Sequence, residues 1–271
     1  MSQRFYTMYF SLIVVAVSRP EYVKTIEKTM AIAARYLFEI IIVHNNNDIF
    51  ISFKNKIQTE HLNVIGINAG DRKFNKSLFI NIAASYASND FLLFCDSDVY
   101  LTDFDFEFVA HNVVKKNFVT LETVSESVVP ENFLPYGNLH RIDHGITICL
   151  SNGIEAYTTI SSSFPQARAR GAPGIFSILR TDFTAVGGYN SALEGWGWED
   201  IDFILRSQLT LGLNRLYHGR GIHLTHGDEQ RNILAKNKFE DQYKNRSTSL
   251  NNISNDVFTG TMESDVNTFL G

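Results

Sequence analysis

Four short apolar runs, each stopping at a polar cluster, constrain this chain more than any other feature. Phe10–Val17 ends at Ser18-Arg19-Pro20-Glu21, and Glu39–Val43 at the turn His44–Asp48. Leu62–Ile67 ends at Gly70, and Phe91–Cys95 at Asp96-Ser97-Asp98. Continuous apolar runs of strand length are what strands buried on both faces require. Helical stripes lie between them: Val23, Ile26, Met30, Ala33 and Leu37, then Leu78, Ile82 and Tyr86 within Asn75–Ser88. Ser18 and Glu21 have capping-box spacing, and Pro20 suits a first helical turn. Repeated β-α-β units predict an α/β fold with a mostly parallel central sheet flanked by helices. Ligands of such sheets bind beyond the carboxyl ends of the strands, which is where the polar clusters fall.

Composition narrows the function. At 271 residues and 44% hydrophobic, the chain can bury a substantial core, and 13% aromatics exclude a disordered polyampholyte. A net charge of −5 argues against general nucleic-acid binding, which needs a basic surface to release counterions. No apolar run approaches the ~20 residues that span a bilayer. With no secretory pattern at the amino terminus, the expected location is cytoplasmic, or peripheral at a membrane if a substrate is lipid-linked. Cys95 and Cys149 both sit in apolar runs and read as buried, reduced thiols. Neither a Gly-x-Gly-x-x-Gly fingerprint nor a Gly-Lys-Ser/Thr phosphate loop is present. The stretch from Leu121 to Pro173 holds four of the five prolines and little regular pattern, so long loops are expected there. Asn232–Tyr243 reads as a helix, and Asn251–Gly271 as a loosely held tail.

Three clusters carry chemistry. Asp96 and Asp98 follow a buried strand and fall on one side if the extended geometry persists. Such a pair suits a hard divalent cation carrying a diphosphate, and equally a turn or helix cap. Gly195-Trp196-Gly197-Trp198-Glu199-Asp200 places both tryptophans of the chain against two acids. Ile201, Ile204, Leu205 and Leu209 continue as a helix face, so Glu199 and Asp200 fall in its first turn, where the helix dipole favours carboxylates. That is a sugar-binding wall beside a base for a sugar hydroxyl, or an acid-rich helix start with Trp in the core. His223 and His226, three apart, can converge on one metal ion or serve separate structural roles.

Together these residues resemble the GT-A nucleotide-sugar glycosyltransferases, and more closely the inverting β-1,4-galactosyltransferase family and its bacterial family 2-like relatives. Phe74-Asn75-Lys76-Ser77-Leu78-Phe79-Ile80-Asn81-Ile82 is similar to that family's Phe-Asn-Arg-Ala-x-x-Leu-Asn-Val. Asp96-Ser97-Asp98 is similar to its Asp-x-Asp, and Gly188-Tyr189 with Gly195–Asp200 to its Gly-Phe…Gly-Trp-Gly-Gly-Glu-Asp. His223-x-x-His226 stands where the family has Met-x-x-His, and Arg19 where an Arg meets the nucleotide. The likeness spans roughly residues 10–230.

The resemblance implies a GT-A fold over residues 1–231, with a nucleotide-binding half to about 110, an acceptor-binding half from 111 and a C-terminal helix and tail from 232. It implies Mn²⁺ or Mg²⁺ on Asp98, His226 and His223, and a UDP-sugar donor held by Arg19, Asn45, Phe74, Lys76 and Asp96. Trp196, Trp198 and Glu199 would bind the sugars, with Asp200 as catalytic base. The implied reaction is inverting transfer of a hexose or N-acetylhexosamine to a saccharide or glycoconjugate hydroxyl, in polysaccharide biosynthesis. Related retaining N-acetylgalactosaminyltransferases carry an amide where this chain has Asp200; a retaining enzyme of that type, a nucleotidyltransferase and a non-catalytic sugar-binding protein are the alternatives. Departures are Asn45 for an Asp that touches uracil, Trp198 for a Gly, and Gly171-Ala172-Pro173-Gly174 for Tyr-Phe-Gly-Gly, where an aromatic helps select the sugar.

Overall fold

The computed structural model describes residues 8–128, 138–226 and 237–270. Strands β1 (Phe10–Val15), β2 (Leu37–His44), β3 (Asn63–Asn68) and β4 (Phe91–Asp96) pair in parallel in the order β3-β2-β1-β4. Alternate residues leave the sheet on opposite faces. Leu12, Val14, Ile40 and Ile42 join one buried cluster with residues of helices α1 (Tyr22–Ala33) and α2 (Asn47–Ile57). Ile13, Ile41 and Val43 join another with helix α3 (Lys76–Ser85). Burial on both sides is why these runs are apolar throughout.

Asn46 and Asn75 cap α2 and α3, each accepting a backbone N–H three residues on at 3.0 Å. The capping box expected at Ser18–Glu21 does not form. The cap is Glu21 without a side-chain bond, and Ser18 takes a left-handed φ of 57°. Asn45 competes for Ser18: its Oδ1 accepts the Ser18 N–H at 2.8 Å and its Nδ2 donates to Ser18 Oγ at 3.0 Å.

The second half departs from the alternation. Strands β5 (Val99–Asp103), β6 (Asn117–Glu126), β7 (Ile142–Cys149), β8 (Glu155–Phe164), β9 (Ala169–Leu179), β10 (Asn214–Tyr217) and β11 (Arg220–His223) join the same sheet. Helices α4 (Phe106–Val113), α5 (Arg180–Ala185) and α6 (Glu199–Leu211) lie between them in sequence. β9 runs antiparallel to both β4 and β6, so the sheet is mixed rather than mostly parallel. Leu121–Pro173, expected as long loops, supplies the end of β6, the β7–β8 hairpin and the start of β9. Cys95 is buried as expected, but Cys149 ends β7 on the exposed side of that hairpin.

The carboxyl-terminal segment is also more ordered than its polarity suggested. Helix α7 (Lys238–Ser254) and helix α8 (Met262–Leu270) follow one another, and α8 packs on α3. The part of the expected Asn232–Tyr243 helix before residue 237 lies outside the described residues. Polar side chains dock these helices beside a few apolar ones: Asn245, Ser249 and Asp265 are buried, as is Ile253, while Met262, Val266 and Phe269 pack on the core. Among the described residues no helix is long and apolar enough to cross a membrane.

Candidate active site

The polar ends of β1 and β4 open into a cavity of about 510 Å³, closed on the far side by β9 and the start of α6. The turn after β4 is fixed from two sides. Thr25 of α1 donates to the Ser97 carbonyl at 2.8 Å, and the Leu224 N–H donates to the Asp98 carbonyl at 2.7 Å. The second bond ties the Asp-x-Asp turn to the segment carrying both histidines, far away in sequence.

Asp98, His223 and His226 accordingly meet. One ligand atom from each lies within 4.8 Å of the others. Asp98 Oδ2 is 3.0 Å from His226 Nε2 and 3.5 Å from His223 Nε2. Glu126 at the end of β6 fixes the second histidine, with its Oε2 2.6 Å from His223 Nδ1. That leaves Nε2 facing the cluster, the arrangement that orients a ligating imidazole. Burial opposes the charge of Asp98, but hydrogen bonds from His223 and His226 hold its carboxyl well below the usual range. One carboxylate oxygen and two imidazole nitrogens converging in this way suit Mn²⁺ or a similar divalent ion.

Across the cavity, Lys76 sits among three carboxylates: both Asp200 oxygens at 3.2 Å, Asp96 at 3.3 Å and Glu199 at 3.7 Å. Burial alone would depress the Lys76 ammonium, yet Asp200, Asp96 and Glu199 raise its pKa well above the ordinary value. Burial, reinforced by the charge of Asp200, pushes Glu199 up to about 7. Glu199 and Asp200 open α6 as expected, and Tyr189 donates its hydroxyl to Asp200 Oδ1 at 2.9 Å. Gly174 has a local reason to be glycine: a Cβ there would lie 2.5 Å from Asp200 Oδ2 and 2.9 Å from Lys76 Nζ.

The expected residues do not all play equal parts. Arg19, Phe74, Asp96 and Trp196 line the cavity, and the Trp196 ring is 42% exposed. Trp198 borders it too but is only 6% exposed, packed with Ile201, Leu205 and Ile253 and lying 5.5 Å from the Arg246 guanidinium. Its backbone has φ 76°, which accounts for a glycine at this place in the family it resembles. Its indole joins α6 to α7 and offers no open stacking face. Asn45 is not among the cavity-lining residues; it pins the Ser18 turn beside Arg19.

The sequence reading assigned no role to Glu126, Tyr189 or the carboxyl-terminal helices. Asn81 on α3 donates to the Tyr189 carbonyl and accepts its N–H, while Asp265 of α8 accepts from Asn81 at 2.7 Å. Asn245 of α7 donates to the carbonyls of Glu194 and Gly197 at 3.0 and 2.9 Å, gripping the loop that bears Trp196. The Gly188-Tyr189 motif was the available signal for Tyr189. Glu126 had none, since nothing local in β6 points to a histidine 97 residues downstream.

Residues 155–227 match the sequence family described as the N-terminal domain of galactosyltransferase, a segment that includes Glu199, Asp200, His223 and His226. No curated protein matches the sequence. Solved structures similar to this one include a Drosophila β-1,4-galactosyltransferase 7 variant in complex with manganese, UDP-Gal and xylobiose. It is 13% identical over 82% of this chain and 73% of that one, with a TM-score of 0.46. The catalytic domain of the same enzyme with xylobiose is 14% identical over 89% and 80%, with a TM-score of 0.47. Staphylococcus aureus TarS 1–349 is 15% identical over 81% of this chain and 59% of that one, with a TM-score of 0.45. The galactosyltransferase-like segment forms the acid and histidine side of the cavity.

Proposed function

We propose that this chain is a metal-dependent, inverting glycosyltransferase of the GT-A type that moves a hexose or N-acetylhexosamine from a UDP-sugar to a saccharide or glycoconjugate hydroxyl. The observation that carries this reading is one cavity with Asp98 and His223 on one side and Asp200 on the other. Asp98, His223 and His226 would hold Mn²⁺, and a cation there would offset the charge of the departing diphosphate.

The chain's own groups supply the rest. Arg19 and Lys76 bring positive charge to the donor side, and Phe74 gives an apolar wall for the nucleotide. Asp96 reaches the ribose or the cation. Asp200 takes the proton from the acceptor hydroxyl as that oxygen bonds to the anomeric carbon and the bond to the diphosphate breaks. Attack from the face opposite the leaving group inverts the centre. Lys76 and the Tyr189 hydroxyl fix Asp200 in place, so the base meets the acceptor without rearranging. Trp196 covers a sugar face, and Glu199 orients its hydroxyls.

Base assistance of this kind is worth ~10²–10⁴-fold. Asp200→Asn is therefore expected to cut transfer from a UDP-sugar by about that factor while the thermal unfolding profile stays near that of the parent. Near-normal turnover in a folded Asp200→Asn protein would overturn the assignment of the base, and with it the case for inversion.

A further inference from the structure

A second, shallower pocket of about 480 Å³ lies between the β7–β8 hairpin, the end of α6 and β10, and belongs to none of the machinery above. Its wall includes Arg141, Tyr157, Gln208, Asn214, Arg215 and Tyr217. Arg141 is satisfied, since its Nε donates to Asp143 at 2.8 Å. Arg215 is different. Its Nε donates to Thr120 Oγ1 at 3.0 Å, and its Nη1 donates to Thr158 Oγ1 and the Thr159 carbonyl at 2.9 and 2.8 Å. Those three bonds lock the guanidinium, which also stacks 4.7 Å from the Tyr217 ring. None of its bonded partners is a carboxylate. Asp143 also lines the pocket, but Arg141 pairs with it directly, so the pocket holds two guanidiniums against one carboxylate.

A partly buried cation with no directly bonded carboxylate is costly to hold. Burial accordingly lowers the Arg215 pKa below its usual value. Holding such a group rigid at an open pocket leaves the Nη2 edge as a pre-oriented donor fork for an anion. The other lining groups suit a sugar. Tyr157 is exposed and Tyr217 partly so, giving aromatic faces at the pocket.

We infer that this pocket binds an acidic saccharide, with its carboxylate or phosphate on Arg215 and its ring against Tyr157 and Tyr217. The site is separate from the transfer cavity, so the inference stands or falls independently of the proposed reaction.

The test is a titration of isotopically labelled full-length protein with glucuronate, glucose 6-phosphate and glucose, followed by NMR at the Arg215 Nε, the Gln208 side-chain amide and the amides of residues 157–159 and 214–217. Either acidic sugar should shift these resonances along a saturating single-site curve, and the tighter of the two identifies the acid. Glucose should not. Losing a charge-assisted hydrogen bond weakens binding roughly tenfold or more, so Arg215→Gln should weaken it by that factor. Tyr157→Ala, on an exposed ring, should weaken it several-fold in a protein that remains folded even if Arg215→Gln does not. Shifts confined to the transfer cavity, an equal response to glucose, or undiminished binding in Tyr157→Ala and any folded Arg215→Gln protein would overturn the inference.

Discussion

Glu199 and Asp200 are neighbours in sequence with different surroundings. Asp200 receives hydrogen bonds from Tyr189 and Lys76, whereas Glu199 meets burial and the adjacent negative charge. The folded-state pKa of Glu199, about 7, stands above its ordinary value of 4.5, so the folded protein holds a proton that the unfolded chain releases. Folding is therefore penalised as pH climbs through that window, and the full penalty applies above pH 7. Glu199→Gln should match the parent in melting temperature below pH 4.5, melt progressively higher than it as pH rises from 4.5 to about 7, and keep a constant lead above that. Parallel melting curves across that range would show that Glu199 is not the group holding the proton. Residue types here were readable because the acids and tryptophans crowd one short block. Glu126 was not readable, because a second-layer partner needs only one oxygen in the right place and leaves no pattern in its own strand.

At the scale of elements, α6 organises the site through its first turn and its middle. Its first turn carries Glu199 and Asp200, and one turn on, the fully buried Arg206 grips the preceding chain. Arg206 Nε donates to Asp202 at 2.7 Å, while its Nη atoms donate to the carbonyls of Val186 and Gly188 at 3.1 and 3.0 Å. The Gly187–Gly188 turn, with positive φ at both residues, thereby delivers Tyr189 to Asp200. Removing one partner of a buried pair leaves the other charge uncompensated, so Arg206→Leu should cost about 3–5 kcal/mol in denaturant unfolding. A loss under about 1 kcal/mol, the scale of an exposed ion pair, would refute this role.

Helix α7 holds the neighbouring loop through Asn245. Asn245→Ala removes two hydrogen bonds worth about 1 kcal/mol each and should raise the KM for acceptor more than it lowers kcat. An unchanged KM would mean that the Trp196 loop keeps its shape unaided. The α6 start was legible from its apolar spacing and acids. The docking of α7 and α8 was not, because hydrogen bonds of buried Asn245 and Asp265 contribute to it beside only a few scattered apolar residues, and a polar segment reads as solvated whether or not its polar groups find partners.

For the whole molecule, the β-α-β alternation led from the sequence to the first four strands and to the ends where chemistry gathers. It failed at β9, whose antiparallel insertion between β4 and β6 brings Gly174 against Lys76 and Asp200. No local pattern distinguishes a strand that runs against its neighbours from one that runs with them. The long-range closure that matters most joins the turn after β4 to the end of β11, making one cluster of Asp98, His223 and His226 opposite Asp200. That closure is the central claim, and calorimetric titration of UDP into the metal-free protein, with and without Mn²⁺, tests it most directly. The account predicts tight binding with Mn²⁺ and weak binding without it, the difference disappearing in His226→Ala. Equal affinity in the two conditions, from a protein shown to be folded, would contradict it.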